Sequence, residues 1–411
     1  MRPALYWALA CVLAALGLWQ TVTAWLEGVS SGHDFVQDYA AVRAIAEGRN
    51  PYEPYNRITQ ELFGGPPHRG NLYSFHAPSS LPFFLPLLPL LPFGYGFAFV
   101  TWGVASLAAL AGVCVLTGRQ IGIRRWAAVG ALLALALAAL PPIRENFIEG
   151  QLNVIVTLGM VGAWALHRAS RDVAAGIALG AAFALKPIPG LFFVYFAVRG
   201  RFRLLAAALA TLAACSLLGL ALAGVDGAWM WATVNYPDHA AIWPGYPDNG
   251  SLRGFFTRLF GPIPRGAWLR PPYPTEGLST VLWVLASGCC ALVAWLATRQ
   301  PRGRPADVDA EIVALFPLTL LVTPIIWPHY YVVLIPPLMI TVSRLMDARR
   351  ENRRRLMLPA VLLAAALAVL APAHYVEPYR GDGGWQLIAL LLVFGVTLWV
   401  CRPERESAQG A

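Results

Sequence analysis

The sequence predicts an all-α integral membrane protein of about 12 spans, roughly 11 to 13, with a helical first external loop, and three observations predict it. Hydrophobic residues make up 57% of the chain and charged residues only 13%, where a soluble domain carries about 25% charge. Apolar runs near spanning length recur from Tyr6 to the C-terminal end. The breaks between them alternate between arginine-rich and arginine-poor, as the positive-inside bias requires of a chain threading a bilayer.

The first apolar segment, Tyr6 to Trp25, is long enough to cross at about 1.5 Å per residue. Arg2 is the one charged residue before it and no small-residue cleavage site follows, so it reads as a retained span rather than a signal peptide. Further runs fall at 96–117, 126–142, 150–166, 173–185, 187–198, 204–223, 278–298, 310–326, 330–343, 356–372 and 385–401. Basic breaks at Arg119-Arg124-Arg125, Arg168-Arg171, Arg199-Arg201-Arg203, Arg299-Arg302-Arg304, Arg344 to Arg355 and the tail 402–411 are expected on the cytoplasmic side, which puts both termini inside. Residues 28–80 and 224–277 become two long external loops of one polytopic membrane domain. The net charge of +9 is then accounted for by topology and lipid headgroup contact, with no nucleic-acid partner. All six cysteines lie in apolar runs, and no structural disulfide is expected.

Two stretches depart from simple spans. Leu81 to Pro92 has a proline every three or four residues and is short, so it reads as a re-entrant or surface segment. The pair 173–185 and 187–198 is broken at Lys186-Pro187-Ile188-Pro189, a break tolerated where it lines a cavity rather than lipid.

Polar residues that bulk hydrophobicity does not explain gather in the arginine-poor breaks. The stretch His33 to Tyr55 carries Asp34 and Asp38 at the membrane boundary, and as a helix it puts both on one face with Tyr39 and Arg43, ending at Gly48 and Pro51. A carboxylate there suits a general base acting between a lipid-borne and a water-borne substrate; alternatively Asp34 caps the helix and Asp38 is solvated. Glu145 and Glu149 flank a second break with Gln151 and Asn153, whose amides would bind a hydroxyl-rich ligand or a neighbouring helix. Lys186 is the one lysine among 31 basic residues, which favours a compact point charge for a phosphate over a snorkelling side chain. Asn249 with Arg253, and His329 between Pro328 and Tyr330, complete five clusters whose convergence on one leaflet suggests an active-site cavity. Alone, His329 reads equally as a structural histidine.

The ordered set of motifs resembles glycosyltransferase family 87: D-F-x-x-x-Y-x-A-x-R-x-x-x-x-G-x-x-P-Y at Asp34 to Tyr52, G-Q-L-N at Gly150 to Asn153, L-K-P-I-P at Leu185 to Pro189, N-G-S-L at Asn249 to Leu252 and P-I-I-W-P-H-Y at Pro324 to Tyr330. The resemblance spans about residues 1 to 345. It implies the GT-C membrane fold, an acidic base in the first external loop and a donor sugar, mannose or another hexose or pentose, carried on polyprenyl phosphate. The acceptor would be a lipid-linked or cell-envelope glycan on the outer side of a bacterial cytoplasmic membrane. By the match, Asp34 is the base and Asp38 a supporting acid, while Lys186 and His329 occupy the family's lysine and histidine positions. Lys186, His329 and Arg253 could meet the phosphate, and Gln151, Asn153, Asn249, Glu145, Glu149, His76 and Tyr39 are candidates for sugar or acceptor contact. The chain departs from the family at Tyr73 to Pro78, where His76 stands in place of the usual aromatic followed by two prolines.

A polyprenyl-phosphate leaving group carries one phosphate, so neither a metal clamp nor a cofactor is expected, and a single base suffices for inverting displacement. Two other classes stay open: a lipid transporter or flippase, which should show repeated halves that are not seen here, and a non-catalytic envelope subunit, which would not need polar clusters on five segments.

Overall fold

The computed structural model describes residues 3–31, 34–65, 73–122, 141–261, 275–298, 308–347, 350–370 and 383–401. His33, nearly all of the expected run at 126–142, the basic breaks at 124–125 and 299–304 and the tail 402–411 lie outside the described residues. Every regular element among the described residues is helical. Among the described residues five helices are long and apolar enough to cross a membrane, Cys11–Ser30, Tyr95–Gln120, Phe202–Gly245, Glu276–Thr298 and Pro328–Met346, so the chain is a multi-pass membrane protein. A sixth candidate, Pro141–Ile148 with Asn153–Arg168, is bent by 117°. Four other expected spans correspond to shorter apolar helices, Asp172–Leu185, Ala310–Val322, Met357–Leu367 and Gly384–Val400, and the run 187–198 to the nine-residue helix Gly190–Val198, all below the ~20 residues of a full crossing.

The described chain forms two compact units. The first, Met1–Pro244 with Trp327–Val333, begins with α1 (Pro3–Ser31), α2 (Phe35–Ala46) and α3 (Asn56–Phe63). Next comes the proline segment, a short α-turn Leu81–Phe84 running into a 3-10 helix Leu85–Phe93. Prolines at 82, 86, 89 and 92 withhold N–H donors that an α-helix would use, and the tighter helix results. The unit continues with α4 (Tyr95–Gln120), α5 (Pro141–Ile148), α6 (Asn153–Arg168), α7 (Asp172–Leu185), α8 (Gly190–Val198), α9 (Phe202–Met230) and α10 (Tyr236–Ile242). Helix α9 bends at Gly224 and passes into α10 through one wide π-type turn, Trp231–Asn235.

Small residues set the spacing of this unit. A Cβ at Gly176 or Gly180 of α7 would lie 2.2 Å or 2.4 Å from backbone oxygens of Leu204 and Ala208 on α9, so the small-xxx-small pattern brings the two backbones together. Helix α6 packs on the other side of α7, where Gly159 meets Ala182.

The second unit, Gly245–Ile326 with Leu334–Ala411, contains α11 (Leu252–Leu259), α12 (Glu276–Thr298), α13 (Val308–Val322), α14 (Ile335–Asp347), α15 (Arg350–Leu370) and α16 (Gly383–Val400). Within it α16 packs against α13, α14 and α15.

The topology makes a prediction within the first unit. In a background lacking the six native cysteines, a cysteine at Phe202, between two arginines, should react with an impermeant maleimide only from the cytoplasmic side, and one at Glu53 only from outside. Labelling of both from one side would contradict the alternation.

Candidate active site

The segment that follows α1 is seated on two helix breaks. Helix α2 ends where Gly48 takes a left-handed conformation (φ 68) and its N–H meets the Ile45 carbonyl, a C-terminal cap that glycine adopts at little cost. Arg43 then joins α2 to α3 through Glu61, 2.9 Å away. At the other end Phe35 is fully buried and packs on Tyr95, Phe99 and Trp102, with ring centroids 5.4–5.9 Å apart. The Phe35 N–H donates to the Glu149 carbonyl at 3.0 Å, and the Asp34 N–H faces the Glu149 carboxylate at 3.4 Å.

Glu149 to Leu152 form the break between α5 and α6. Gly150 there has φ 64, and a Cβ would lie 2.6 Å from the Phe35 Cβ. The glycine of G-Q-L-N is therefore required twice, for its backbone conformation and for the approach of α2. The carbonyls freed by the break have partners: the Trp102 indole N–H donates to Gly150 O at 2.9 Å, as backbone inside an apolar protein requires.

The second break lies between α7 and α8. Pro187 excludes the helical region for the residue before it, and Lys186 is extended at φ −158, ψ 131. Its ammonium reaches Gln151 Oε1 and Asn153 Oδ1, both at 3.0 Å, and lies 4.0 Å from the centre of the Tyr330 ring. Two amide oxygens and an aromatic face surround the buried cation.

Gln151 faces both ways. Its carbonyl accepts from Lys186, and its NH₂ donates to Asp34 Oδ2 at 2.5 Å. The charges at the two ends fix the orientation of the amide, because only an NH₂ can donate to a carboxylate and only a carbonyl can accept from an ammonium. Asp34 makes no side-chain capping bond to α2; the helix-cap alternative gives way to this contact. Asn153 extends the network by donating to the His329 carbonyl at 3.2 Å.

Asp38 is buried (2% exposed) rather than solvated, and its Oδ1 lies 2.8 Å from His76 Nδ1. Burial raises its carboxyl above the ordinary range, and the charge and hydrogen bond of His76 oppose that rise. The residues around His76 are held in an extended strip. The Gln37 carbonyl accepts from Phe75 N–H, Asn235 donates to Ser74 O, the Trp231 indole donates to Phe75 O and the Tyr52 hydroxyl donates to His76 O. Asn235 and Trp231 come from the wide turn after α9, a common place for residues with special tasks.

The remaining candidates fall as follows. Tyr39 is buried edge-on against Tyr95. Glu145 is half-buried on α5, one turn before Glu149. His329 is buried beside Tyr330 and meets the network through its carbonyl. Asn249 and Arg253 belong to the second unit. There Asn249 accepts from Ser251 N–H within its loop and from Ile326 N–H 77 positions away, and so ties the loop to the segment after α13, while Arg253 pairs with Glu276 at 3.5 Å. Sequence reasoning missed the aromatic wall that Tyr330 gives Lys186 and the pairing of Asp38 with His76. The oddness of His76 in its motif was the one signal available for the latter.

Comparison with known proteins adds independent findings. The family model of Glycosyltransferase family 87 matches residues 75–324. A polyprenol-phosphate-mannose-dependent alpha-(1-2)-phosphatidylinositol mannoside mannosyltransferase of Mycolicibacterium smegmatis is 30% identical over 399 residues, 85% of each chain. Its namesake in Mycobacterium tuberculosis is 29% identical over 94% of this chain and 92% of its own length. Among solved structures, ArnT from Cupriavidus metallidurans bound to undecaprenyl phosphate aligns with 94% of this chain and 76% of its own at 17% identity and a TM-score of 0.43.

The geometry of the first break yields a prediction. Gly150→Ala adds a Cβ at a left-handed position against Phe35 and should cost about 2 kcal/mol or more of stability, read as a lower thermal unfolding midpoint in detergent; an unchanged midpoint would show that the break relaxes freely.

Proposed function

This chain belongs to glycosyltransferase family 87, and we propose on that premise that it transfers mannose from polyprenyl-phosphate mannose to a lipid-linked, mannose-containing acceptor. The observation that carries the reading is the single amide of Gln151 bonded to a carboxylate at one end and to a buried ammonium at the other. A direct displacement at a sugar carbon needs those two charges near one another: a base for the incoming hydroxyl and a cation for the departing phosphate.

In this reading Asp34 accepts the proton of the acceptor hydroxyl as its oxygen attacks the anomeric carbon of the donor. The bond from that carbon to the phosphate oxygen breaks with inversion, and polyprenyl phosphate leaves with the electron pair. Lys186 offsets the negative charge that grows on the phosphate, with the His329 side chain as a second contact. Gln151 and Asn153 hold the ammonium and offer amide groups to sugar hydroxyls. Glu149 supports the backbone at Asp34, while Glu145 and Tyr39 line the same part of the chain. The names of the mycobacterial relatives support mannose as the sugar and a phosphatidylinositol mannoside as the kind of acceptor. The charge alternation of the breaks supports a reaction on the outer side, and the bacterial source of the relatives supports a bacterial cytoplasmic membrane.

The test is transfer of labelled mannose from polyprenyl-phosphate mannose by purified protein. Loss of a positioned base costs about 10²- to 10⁴-fold in rate, so Asp34→Asn should fall by that much with donor binding kept, whereas Asp38→Asn keeps measurable activity. Wild-type turnover in Asp34→Asn, or a dead Asp38→Asn in folded protein, would overturn the assignment of the base. Lys186→Ala should weaken donor use, and Lys186→Arg should restore little, because a planar fork cannot meet two amide oxygens and a ring as an ammonium does; a saturable, fully active Lys186→Ala would remove the lysine from the phosphate site.

A further inference from the structure

His76 combines three properties that no structural role requires together. It is buried, at 6% exposure. Its Nδ1 is committed to Asp38 at 2.8 Å. Its Nε2 is also buried and has no hydrogen-bond partner among the described residues. A histidine present only to neutralise Asp38 could present Nε2 to solvent or to a backbone group, whereas a buried nitrogen without a partner forfeits a hydrogen bond it had in water.

The surroundings say what kind of partner is missing. The ring lies between Phe84, stacked at 5.8 Å, and Phe75, edge-on at 4.9 Å, so its plane is fixed and Nε2 points along one direction. The backbone on either side is tied down at Ser74, Phe75 and His76 by Asn235, Gln37, Trp231 and Tyr52. The pair adjoins the network around Gln151, since Asp38 lies in the first turn of α2 and Asp34 at its N-terminal cap position. A rigid nitrogen there without a partner among the described residues is an unfilled hydrogen-bonding position.

We propose that His76 is a substrate-binding residue whose Nε2 hydrogen-bonds a hydroxyl of a bound sugar, with Asp38 as the positioning residue that fixes the ring through Nδ1. A hydroxyl both donates and accepts, so it serves whichever tautomer Asp38 imposes. No bond is made or broken at His76. This inference rests on the sugar-transfer reading for its substrate class, but its test reads binding and not turnover.

The experiment uses the full-length protein in detergent and two probes, polyprenyl-phosphate mannose for the donor and octyl α-mannoside for the acceptor, with affinity measured for wild type, His76→Asn and His76→Gln. Asparagine keeps a donor near Nδ1 for Asp38 and lacks any atom at Nε2, and glutamine places its amide near Nε2. The expected result is a loss of about fivefold to tenfold in the affinity of His76→Asn for one of the two probes, with the other unchanged as evidence of an intact fold and with partial recovery in His76→Gln. Loss on the octyl mannoside assigns the hydroxyl to the acceptor, and loss on the polyprenyl-phosphate sugar assigns it to the donor. In wild type, one monodeoxy analogue of the affected probe should lose the same factor and lose nothing more in His76→Asn. Equal affinities of wild type and His76→Asn for both probes would overturn the proposal. Binding that depends on His76 without any turnover would count against the transfer reading and leave the binding role standing.

Discussion

A buried ammonium is tolerable only when its donors have partners, and the arrangement around Lys186 follows from that constraint. Two amide oxygens and one aromatic face take up the charge. Each partner has in turn to be held, and the holding residues reach the sugar-transfer candidates: Gln151 by Asp34, Asn153 by the His329 carbonyl. Removing one member of such a network leaves a buried charge uncompensated, at a cost of about 3–5 kcal/mol. This explains why a chain that otherwise uses arginine keeps one lysine at this place: the tetrahedral ammonium fits two oxygens and a ring, and the flat guanidinium does not.

All three polar contributors stand where the backbone itself is interrupted. Gln151 and Asn153 lie at the 117° bend between α5 and α6, and Lys186 lies at the proline break after α7. Interrupted helices free carbonyls that need donors, and the segment between α1 and the proline-rich helix supplies them at both places: Phe35 N–H to Glu149 O, and the Ser79 hydroxyl to Ala184 O at 2.8 Å. The same contacts that satisfy the broken backbone therefore carry Asp34 to Gln151. Fold and site are joined through a shortage of hydrogen bonds, so a substitution at Gly150 or Phe35 bears on both.

The membrane class, the helix positions and the individual polar candidates were legible because each rests on local pattern: hydropathy over about 20 residues, arginine content of the breaks, a proline after a lysine, a glycine before a glutamine. The end of α2 at Gly48 and the break at Lys186 follow from such rules. What the sequence left open depends on contacts between distant residues. Asp38 and His76 are 38 positions apart, and nothing local distinguishes a solvated Asp38 from a buried one. Tyr330 and Lys186 meet because Trp327–Val333 belong to the same unit as Lys186 despite their distance in sequence. Asn249 is a further case, a polar residue that drew notice in the sequence and whose bond to Ile326 N–H, 77 positions away, did not.

The central claim is that Gln151 couples the base to the cation, and a double-mutant cycle measures that coupling directly. Rates of mannose transfer from polyprenyl-phosphate mannose are compared for wild type, Gln151→Leu, Lys186→Ala and the double variant, each checked for folding. Residues that act as one unit lose little more together than the worse of them loses alone. The account predicts that the double variant is within about threefold of the slower single variant. Losses that simply multiply would contradict it, because Lys186 and Gln151 would then serve the reaction independently.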